Sequence, residues 1–75
     1  ARYAVQVGAS QNLAEAERLQ KRLAAEGARV TPADLPGKGR WYRVKLGSYA
    51  TRPEAEERLT ALTRRGIPGF VTDAP

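Results

Sequence analysis

The sequence matches itself when it is shifted by 39 residues, and this duplication restricts the fold more than any other feature. Each copy contains a Tyr-x-Val-x-apolar-Gly segment, then a helix start, then Leu-x-x-x-Gly. Such a period is that of a repeated supersecondary unit. Two copies are too few for a solenoid, but they can complete one sheet. The matched pairs are Tyr3/Tyr42, Val5/Val44, Gly8/Gly47, Glu15/Glu54, Ala16/Ala55, Glu17/Glu56, Leu23/Leu62 and Gly27/Gly66.

Each copy has the pattern of strand, helix and strand. Apolar residues alternate with other residues in segments 3–7 and 42–46, as in a strand with one buried face. Shorter apolar segments at 28–32 and 69–72 predict a second strand in each copy. The sequence therefore predicts four strands.

Two helices are predicted between these strands, at 12–26 and 51–65. Each begins with a capping box, Asn12-x-x-Glu and Thr51-x-x-Glu, in which a side chain accepts a hydrogen bond from the first turn. We expect Asn12 to act as a helix cap rather than, or as well as, a ligand contact. Segment 33–40 contains two glycines and a proline and predicts a flexible loop.

The resulting order, βαββαβ, predicts an α+β fold of the RNP or ferredoxin-like kind. Right-handed crossovers place both helices on one face of a four-stranded antiparallel sheet, with the first and third strands in the centre. The residues predicted to form the core between sheet and helices are Val5, Val7, Val30, Val44, Leu46, Val71, Ala16, Leu19, Leu23, Ala55, Leu59, Leu62 and Ile67.

The other sheet face has no helix to cover it, and its composition is unusual. Two large aromatic side chains there offer flat apolar surface for stacking on a sugar or a base, and basic and amide groups offer hydrogen bonds. Trp41 could instead lie in the core or fold over the sheet edge, and a shift of one residue in the last strand would bury Phe70. The residues predicted for this face are Ala4, Gln6, Arg29, Thr31, Trp41, Arg43, Lys45, Phe70 and Thr72.

The positive charge is concentrated on the predicted strands and loops. The chain has a net charge of +5, of which the two helical segments carry +1 (seven basic and six acidic residues) and the remaining segments +4. A charge excess of one sign on the sheet indicates an anionic partner.

Several kinds of chemistry are excluded by composition. The chain has no cysteine, histidine or methionine, so a thiol nucleophile, a histidine base and a zinc site of the usual kind are all absent. No apolar run approaches the roughly 20 residues that span a bilayer. We therefore predict no catalytic residue, no metal, no cofactor and no membrane segment in this chain. We expect residues 1–75 to be one domain of a longer protein, and to be monomeric.

Three sequence motifs resemble those of a known family. The segment Tyr-Ala-Val-Gln-Val-Gly-Ala-Ser at 3–10, before an Ala/Leu-rich helix, is similar to the start of a SPOR domain. Segment 42–49, followed by Pro-Glu-Ala at 53–55, resembles its second half, and Gly-Phe-Val at 69–71 resembles its end. The resemblance covers essentially the whole chain.

The resemblance implies an RNP-like fold and non-catalytic binding to septal peptidoglycan, in particular to glycan strands of GlcNAc and MurNAc stripped of stem peptides. Such strands carry a free lactyl carboxylate, which suits a basic sheet face. It implies a location in the bacterial cell envelope, enriched at the division septum. In the family a serine stands where this chain has Ala9, and an aromatic where it has Ser10. The predicted glycan-binding residues are Gln6, Ala9, Ser10, Asn12, Trp41, Arg43, Lys45 and Phe70.

Single-stranded RNA binding is the alternative, because the same topology and a basic, aromatic face occur in RNA-recognition modules. The RNP1 octapeptide of those modules is missing, since the third strand reads Trp-Tyr-Arg-Val-Lys-Leu. A module that pairs through its sheet edge is a third interpretation, which only the small size favours.

Overall fold

The computed structural model describes residues 2–74, which form a four-stranded antiparallel sheet and two α-helices. The strand order is β2-β3-β1-β4, so the first and third strands are central, and the predicted α+β fold is confirmed. The elements are β1 (Arg2–Ser10), α1 (Leu13–Arg22), a 3-10 turn (Ala24–Glu26), β2 (Ala28–Leu35), β3 (Gly39–Tyr49), α2 (Arg52–Arg64) and β4 (Phe70–Ala74).

Both helices begin at the caps that the sequence predicted. The Asn12 Oδ1 atom accepts hydrogen bonds from the backbone N–H groups of Ala14, at 2.9 Å, and Glu15, at 3.4 Å. Thr51 Oγ1 accepts from the Glu54 N–H at 3.4 Å and donates to its carboxylate at 2.9 Å. These bonds satisfy backbone donors that have no partner inside the first helical turn.

The first helix is shorter than predicted. It ends at Arg22 and continues only as the 3-10 turn Ala24–Glu26, whereas the prediction ran to residue 26. Leu23 departs from helical geometry, with φ −110° and ψ 18°, and its side chain is buried. Gly27 then closes the turn at φ 85°, a conformation that glycine adopts readily.

Glu26 ties this 3-10 turn to the second helix. Its two carboxylate oxygens pair with the guanidinium groups of Arg58, in α2, and Arg65, which follows it. The Glu26 side chain is largely buried, at 14 % exposure, while both arginines remain partly in solvent. The C-terminal end of the first helical unit is therefore held against α2 by charge-assisted hydrogen bonds.

The prediction of a flexible loop at 33–40 is wrong, because both flanking strands continue into this segment. The two strands are joined by a tight turn in which the Lys38 N–H donates to the Leu35 carbonyl oxygen at 3.0 Å. Pro36 and Gly37 occupy the two central positions, and Gly37 has φ 74°. Proline followed by a positive-φ glycine is the pattern of a type II turn, so these residues close a hairpin.

The hydrophobic core lies between the helices and one face of the sheet, as predicted. Val5, Val44, Leu46 and Leu62 have no exposed surface. Fully burying a side chain of this size stabilises the fold by about 1.5–3 kcal/mol. The buried cluster also contains Ala16, Leu23 and Ala28, and the residues packed around it are Val7, Leu19, Val30, Tyr42, Tyr49, Leu59 and Ile67.

Along each strand, the residues that alternate with the core residues are absent from this cluster and form the face turned away from the helices. We call this surface the open face. All nine residues assigned to it by alternation are confirmed there, and a bulge in β1 adds Ala9. Its members are Ala4, Gln6, Ala9, Arg29, Thr31, Trp41, Arg43, Lys45, Phe70 and Thr72.

Candidate ligand-binding face

One row of side chains crosses all four strands of the open face. Strand pairing places Arg29 opposite Lys45, Lys45 opposite Gln6, and Gln6 opposite Phe70. Neighbouring strands lie about 4.8 Å apart, so the row is roughly 14 Å long between its first and last Cα atoms. It runs from a cationic end on β2 to an aromatic end on β4.

A β-bulge in β1 shapes the centre of this face. The β1–β3 register shifts between Gln6 and Gly8, so that Val7 is an extra residue on β1. Simple alternation from Gln6 would place Ser10 on the open face and Ala9 on the helix side. The bulge reverses this, and Ala9 pairs with Arg43 on the open face.

A groove of about 400 Å³ lies at the aromatic end of the row. The Phe70 ring borders it and is 54 % exposed, a large fraction for this residue type. Gln6 forms part of its floor and is only 8 % exposed. The residues that line the groove are Gln6, Val7, Gly8, Ala9, Pro68, Gly69 and Phe70.

The burial of Gln6 differs from the sequence expectation of a solvent-facing amide. Within the described residues 2–74, its side-chain amide makes no hydrogen bond to the protein. The amide group therefore keeps its donors and acceptor for solvent or for a ligand in the groove.

Lys45 is also buried, at 6 % exposure, although it projects from the open face. Its Nζ atom donates to the backbone carbonyl oxygen of Asp73 at 3.2 Å. Burial lowers the pKa of Lys45 below 10.5, and the charges of Arg43 and Arg29 lower it further, against a weaker opposing effect of Asp73. Lys45 thus has two positive residues as strand neighbours, Arg29 on β2 and Arg43 on β3, while its ammonium group is turned towards β4.

Trp41 lies on the open face near the hairpin end of β3, two residues before Arg43. It pairs with Ala33 of β2 and is half-buried, and it does not belong to the core cluster. Its indole Nε1 atom is out of contact with solvent and has no hydrogen-bond partner in the part of the chain that the structure describes. The alternative that Trp41 is a core residue is therefore wrong.

Two of the predicted site residues are turned towards the first helix instead. Ser10 Oγ donates to the Glu15 carboxylate at 2.9 Å and accepts from the Asn12 N–H at 3.0 Å. Asn12 uses its side-chain oxygen as the helix cap. The bulge at Val7 is the physical reason that Ser10 leaves the open face, and period-two alternation could not reveal it.

The structure therefore brings six of the eight predicted residues onto one surface. Gln6, Ala9 and Phe70 line the groove, and the other three extend along β3. The prediction missed the other four residues that line the groove: Val7 and Gly8 at the bulge, and Pro68 and Gly69 in the connection before β4. It placed Arg29 on the face but not in the site. The six are Gln6, Ala9, Trp41, Arg43, Lys45 and Phe70.

Two further observations concern residues 2–74. No three histidine, cysteine, aspartate or glutamate side chains there lie close enough to hold a metal ion. None of the helices is long and apolar enough to cross a membrane.

Fold and surface together define a small βαββαβ domain with one uncovered sheet face that is basic and aromatic. The chain belongs to the SPOR domain family, whose family model matches residues 1–73. The resemblance noted in the sequence motifs is thus confirmed.

A solved structure shares this architecture. It is the solution structure of the peptidoglycan-binding domain of the B. subtilis cell wall lytic enzyme CwlC, to which this chain is 25 % identical, with a TM-score of 0.70. The similarity covers 95 % of this chain and 86 % of that one. No curated protein matches the chain.

Proposed function

We propose that this domain binds peptidoglycan through the open face and acts as a binding module without catalysis of its own. Membership of the SPOR domain family and similarity to the peptidoglycan-binding domain of CwlC support this function. We further propose that it works as a monomeric domain of a longer cell-envelope protein and is enriched at the division septum.

The observation that carries the proposal is the groove between Gln6 and Phe70. An exposed ring beside a buried amide that lacks a protein partner can hold a sugar, because the ring packs on the apolar face of a pyranose while the amide bonds its hydroxyl or acetamido groups. Ala9 leaves space beside Gln6, where the family serine would add a hydroxyl.

The preferred ligand in this proposal is a glycan strand of GlcNAc and MurNAc without stem peptides. Removal of the peptide leaves a lactyl carboxylate on each muramic acid. The open face carries Arg29, Arg43 and Lys45 and no acidic residue, so it favours a strand with free carboxylates over an uncharged one.

The comparisons do not support binding of single-stranded RNA, because they relate the chain to SPOR domains. A basic face nonetheless attracts any polyanion at low salt, because counterions are released on contact. RNA is therefore the appropriate competitor in a binding experiment.

The test is co-sedimentation of the domain with intact and with amidase-treated sacculi, at low and moderate salt. We expect binding to both, stronger after amidase treatment, and resistant to an excess of single-stranded RNA. Gln6→Ala should weaken binding by about 1–3 kcal/mol, the usual cost of leaving polar groups unpaired.

Leu13→Ala provides the matched control for Phe70→Ala. Among residues 2–74, Leu13 is the other large exposed apolar residue, 44 % exposed at the start of α1 and away from the groove. Loss of binding in Phe70→Ala but not in Leu13→Ala supports the groove. Equal binding to sacculi and RNA, abolished for both by moderate salt, would contradict the proposal.

A further inference from the structure

The fourth strand covers only part of the first. β4 begins at Phe70, opposite Gln6, whereas β1 continues to Ser10. Within the described chain these last residues of β1 have a strand partner on the β3 side alone. An unpaired strand edge presents backbone N–H and C=O groups to whatever lies beside it. The groove lies along this edge, and residues 7–9 form one of its walls.

The Gln6 side chain adds a second amide to the groove. It is only 8 % exposed and makes no hydrogen bond within residues 2–74. A glutamine amide has both a carbonyl acceptor and N–H donors. Side chain and strand edge therefore offer the same kinds of group, which are neutral donors and acceptors of the peptide type.

The rest of the groove is small and apolar. Its wall includes the side chains of Val7, Ala9 and Pro68, and none of the described residues that line it is charged. Ala9 is exposed, and its short side chain leaves room in front of the strand edge. The charged side chains elsewhere on the open face are all basic. Such a site favours a neutral amide that carries a small apolar group and disfavours a cation.

We infer that the groove is a subsite for the N-acetyl group of an amino sugar, and that N-deacetylation of the glycan weakens binding. The acetamido group has one N–H donor, one carbonyl acceptor and one methyl group, which match the strand edge, the Gln6 amide and the apolar wall. Deacetylation leaves an ammonium group, with donors only and a positive charge. This inference rests on the proposed function and deepens it, because it identifies the chemical group that the groove recognises.

The neighbouring ring fits this assignment. Phe70 borders the groove and lies directly opposite Gln6, so their Cβ atoms are about 4.5–5.5 Å apart. A pyranose ring packed on Phe70 therefore holds its own acetamido group within reach of the Gln6 amide. One sugar occupies both the aromatic surface and the groove.

The experiment changes only the substituent on the sugar nitrogen. Amidase-treated glycan strands are N-deacetylated, and the free amines are then converted to N-acetyl or to N-formyl groups. Wild type should bind re-acetylated strands as tightly as untreated ones. It should bind N-formyl strands about fourfold more weakly, since the burial of one methyl group is lost. Free-amine strands should bind about 20-fold more weakly, since a hydrogen bond is lost as well.

Ala9→Val tests where the acyl group lies. The larger side chain should occupy the space of the acetyl methyl group, so that this variant binds N-acetyl and N-formyl strands equally. Ala9 is exposed, and a thermal melt verifies that the variant is folded. Ala50→Val is the matched control, because Ala50 is exposed in the connection between β3 and α2, outside the open face. It should keep the fourfold preference of wild type.

The outcomes separate this inference from the proposed function. Equal binding of N-acetyl and N-formyl strands by wild type overturns the subsite, because the two carry the same charge and differ only in the methyl group. Binding of all strands would then still support the proposed function, whereas failure to bind even untreated strands overturns the proposed function itself. A preference for N-acetyl that is unchanged in Ala9→Val places the acyl group outside the groove and overturns the inference.

Discussion

The Lys45 ammonium group reaches across β1 and donates a hydrogen bond to the Asp73 carbonyl oxygen on β4. Its side chain thus runs from β3 to β4 and passes over β1, the strand between them. On that middle strand Ala4 has no exposed surface, although it lies on the open face. The lysine stem therefore supplies apolar cover to a face that has no helix, as long charged side chains often do.

Replacement of Phe70 by alanine should reduce glycan binding with little change in stability. The ring is 54 % exposed, so its removal should cost less than about 1 kcal/mol, against roughly 3–5 kcal/mol for a buried phenylalanine. Thermal melting and co-sedimentation measure the two effects separately. A large fall in melting temperature would show that the ring supports the core rather than the groove.

The duplication made the fold predictable, because each copy carried its own strand periodicity and helix cap. The core followed from the same pattern, and Val5, Val44 and Leu62 are buried as expected. The hairpin was missed because Pro36 and Gly37 were interpreted as a flexible segment. Glycine and proline mark both flexible loops and tight turns, and only the strand pairing on either side distinguishes them.

The site was less predictable than the fold, for two physical reasons. Period-two alternation contains no signal for the bulge at Val7, which moves Ser10 off the open face and brings Ala9 onto it. Whether a residue on an uncovered sheet face is buried depends on the directions in which neighbouring extended side chains, such as lysine, lie across that face. Lys45 and Gln6 were therefore expected in solvent, whereas they form the floor of the face.

Gly69→Ala should damage the fold and the groove together. A Cβ atom on Gly69 would lie 2.7 Å from the backbone oxygen of Gln6, which pairs with the adjacent Phe70. Because a backbone atom cannot rotate away, β4 would have to shift from β1, at a cost of about 1–3 kcal/mol. Denaturant unfolding measures the loss, and glycan binding should fall with it.

Gly8→Ala is the matched comparison for this change. Its Cβ would lie 2.5 Å from Leu19 Cδ2, the end of a side chain that can adopt another rotamer. We expect a smaller loss of stability and retained binding. A larger loss in Gly8→Ala than in Gly69→Ala would contradict this account of the close contact between β1 and β4.

The depressed pKa of Lys45 predicts a rise in stability at alkaline pH. In the folded protein the pKa of Lys45 lies below 10.5, the ordinary lysine value, because burial and the nearby arginines disfavour the charged form. Between the folded pKa and 10.5 the unfolded chain binds more protons, so the free energy of unfolding increases with pH.

Urea unfolding of wild type and Lys45→Met at about pH 7 and about pH 9.5 measures this effect. The free energy of unfolding should increase more in wild type than in the variant. Titration of Tyr49 has the opposite effect on stability, since burial raises its pKa above 10.0. Both proteins contain Tyr49, so its contribution cancels in the comparison. An identical pH response in the two proteins would show that Lys45 titrates as it does in the unfolded chain.

Gln6→Glu should stabilise the domain while it weakens glycan binding. Gln6 and Lys45 are directly opposite on β1 and β3, so their Cβ atoms lie about 4.5–5.5 Å apart. A carboxylate at position 6 would give Lys45 the salt-bridge partner that residues 2–74 do not supply, and would raise the lysine pKa. The same carboxylate would occupy the place of a ligand carboxylate and repel it.

Opposite changes in stability and affinity distinguish this explanation from simple damage to the site. Gln6→Ala serves as the control, because it removes the amide without supplying a charge and should lower affinity with no gain in stability. Thermal melts and titration with amidase-treated glycan measure both quantities, and high salt should narrow the difference between the variants. If Gln6→Glu is less stable than Gln6→Ala, the Lys45 ammonium group gains nothing from a nearby carboxylate, and this account of the open face is wrong.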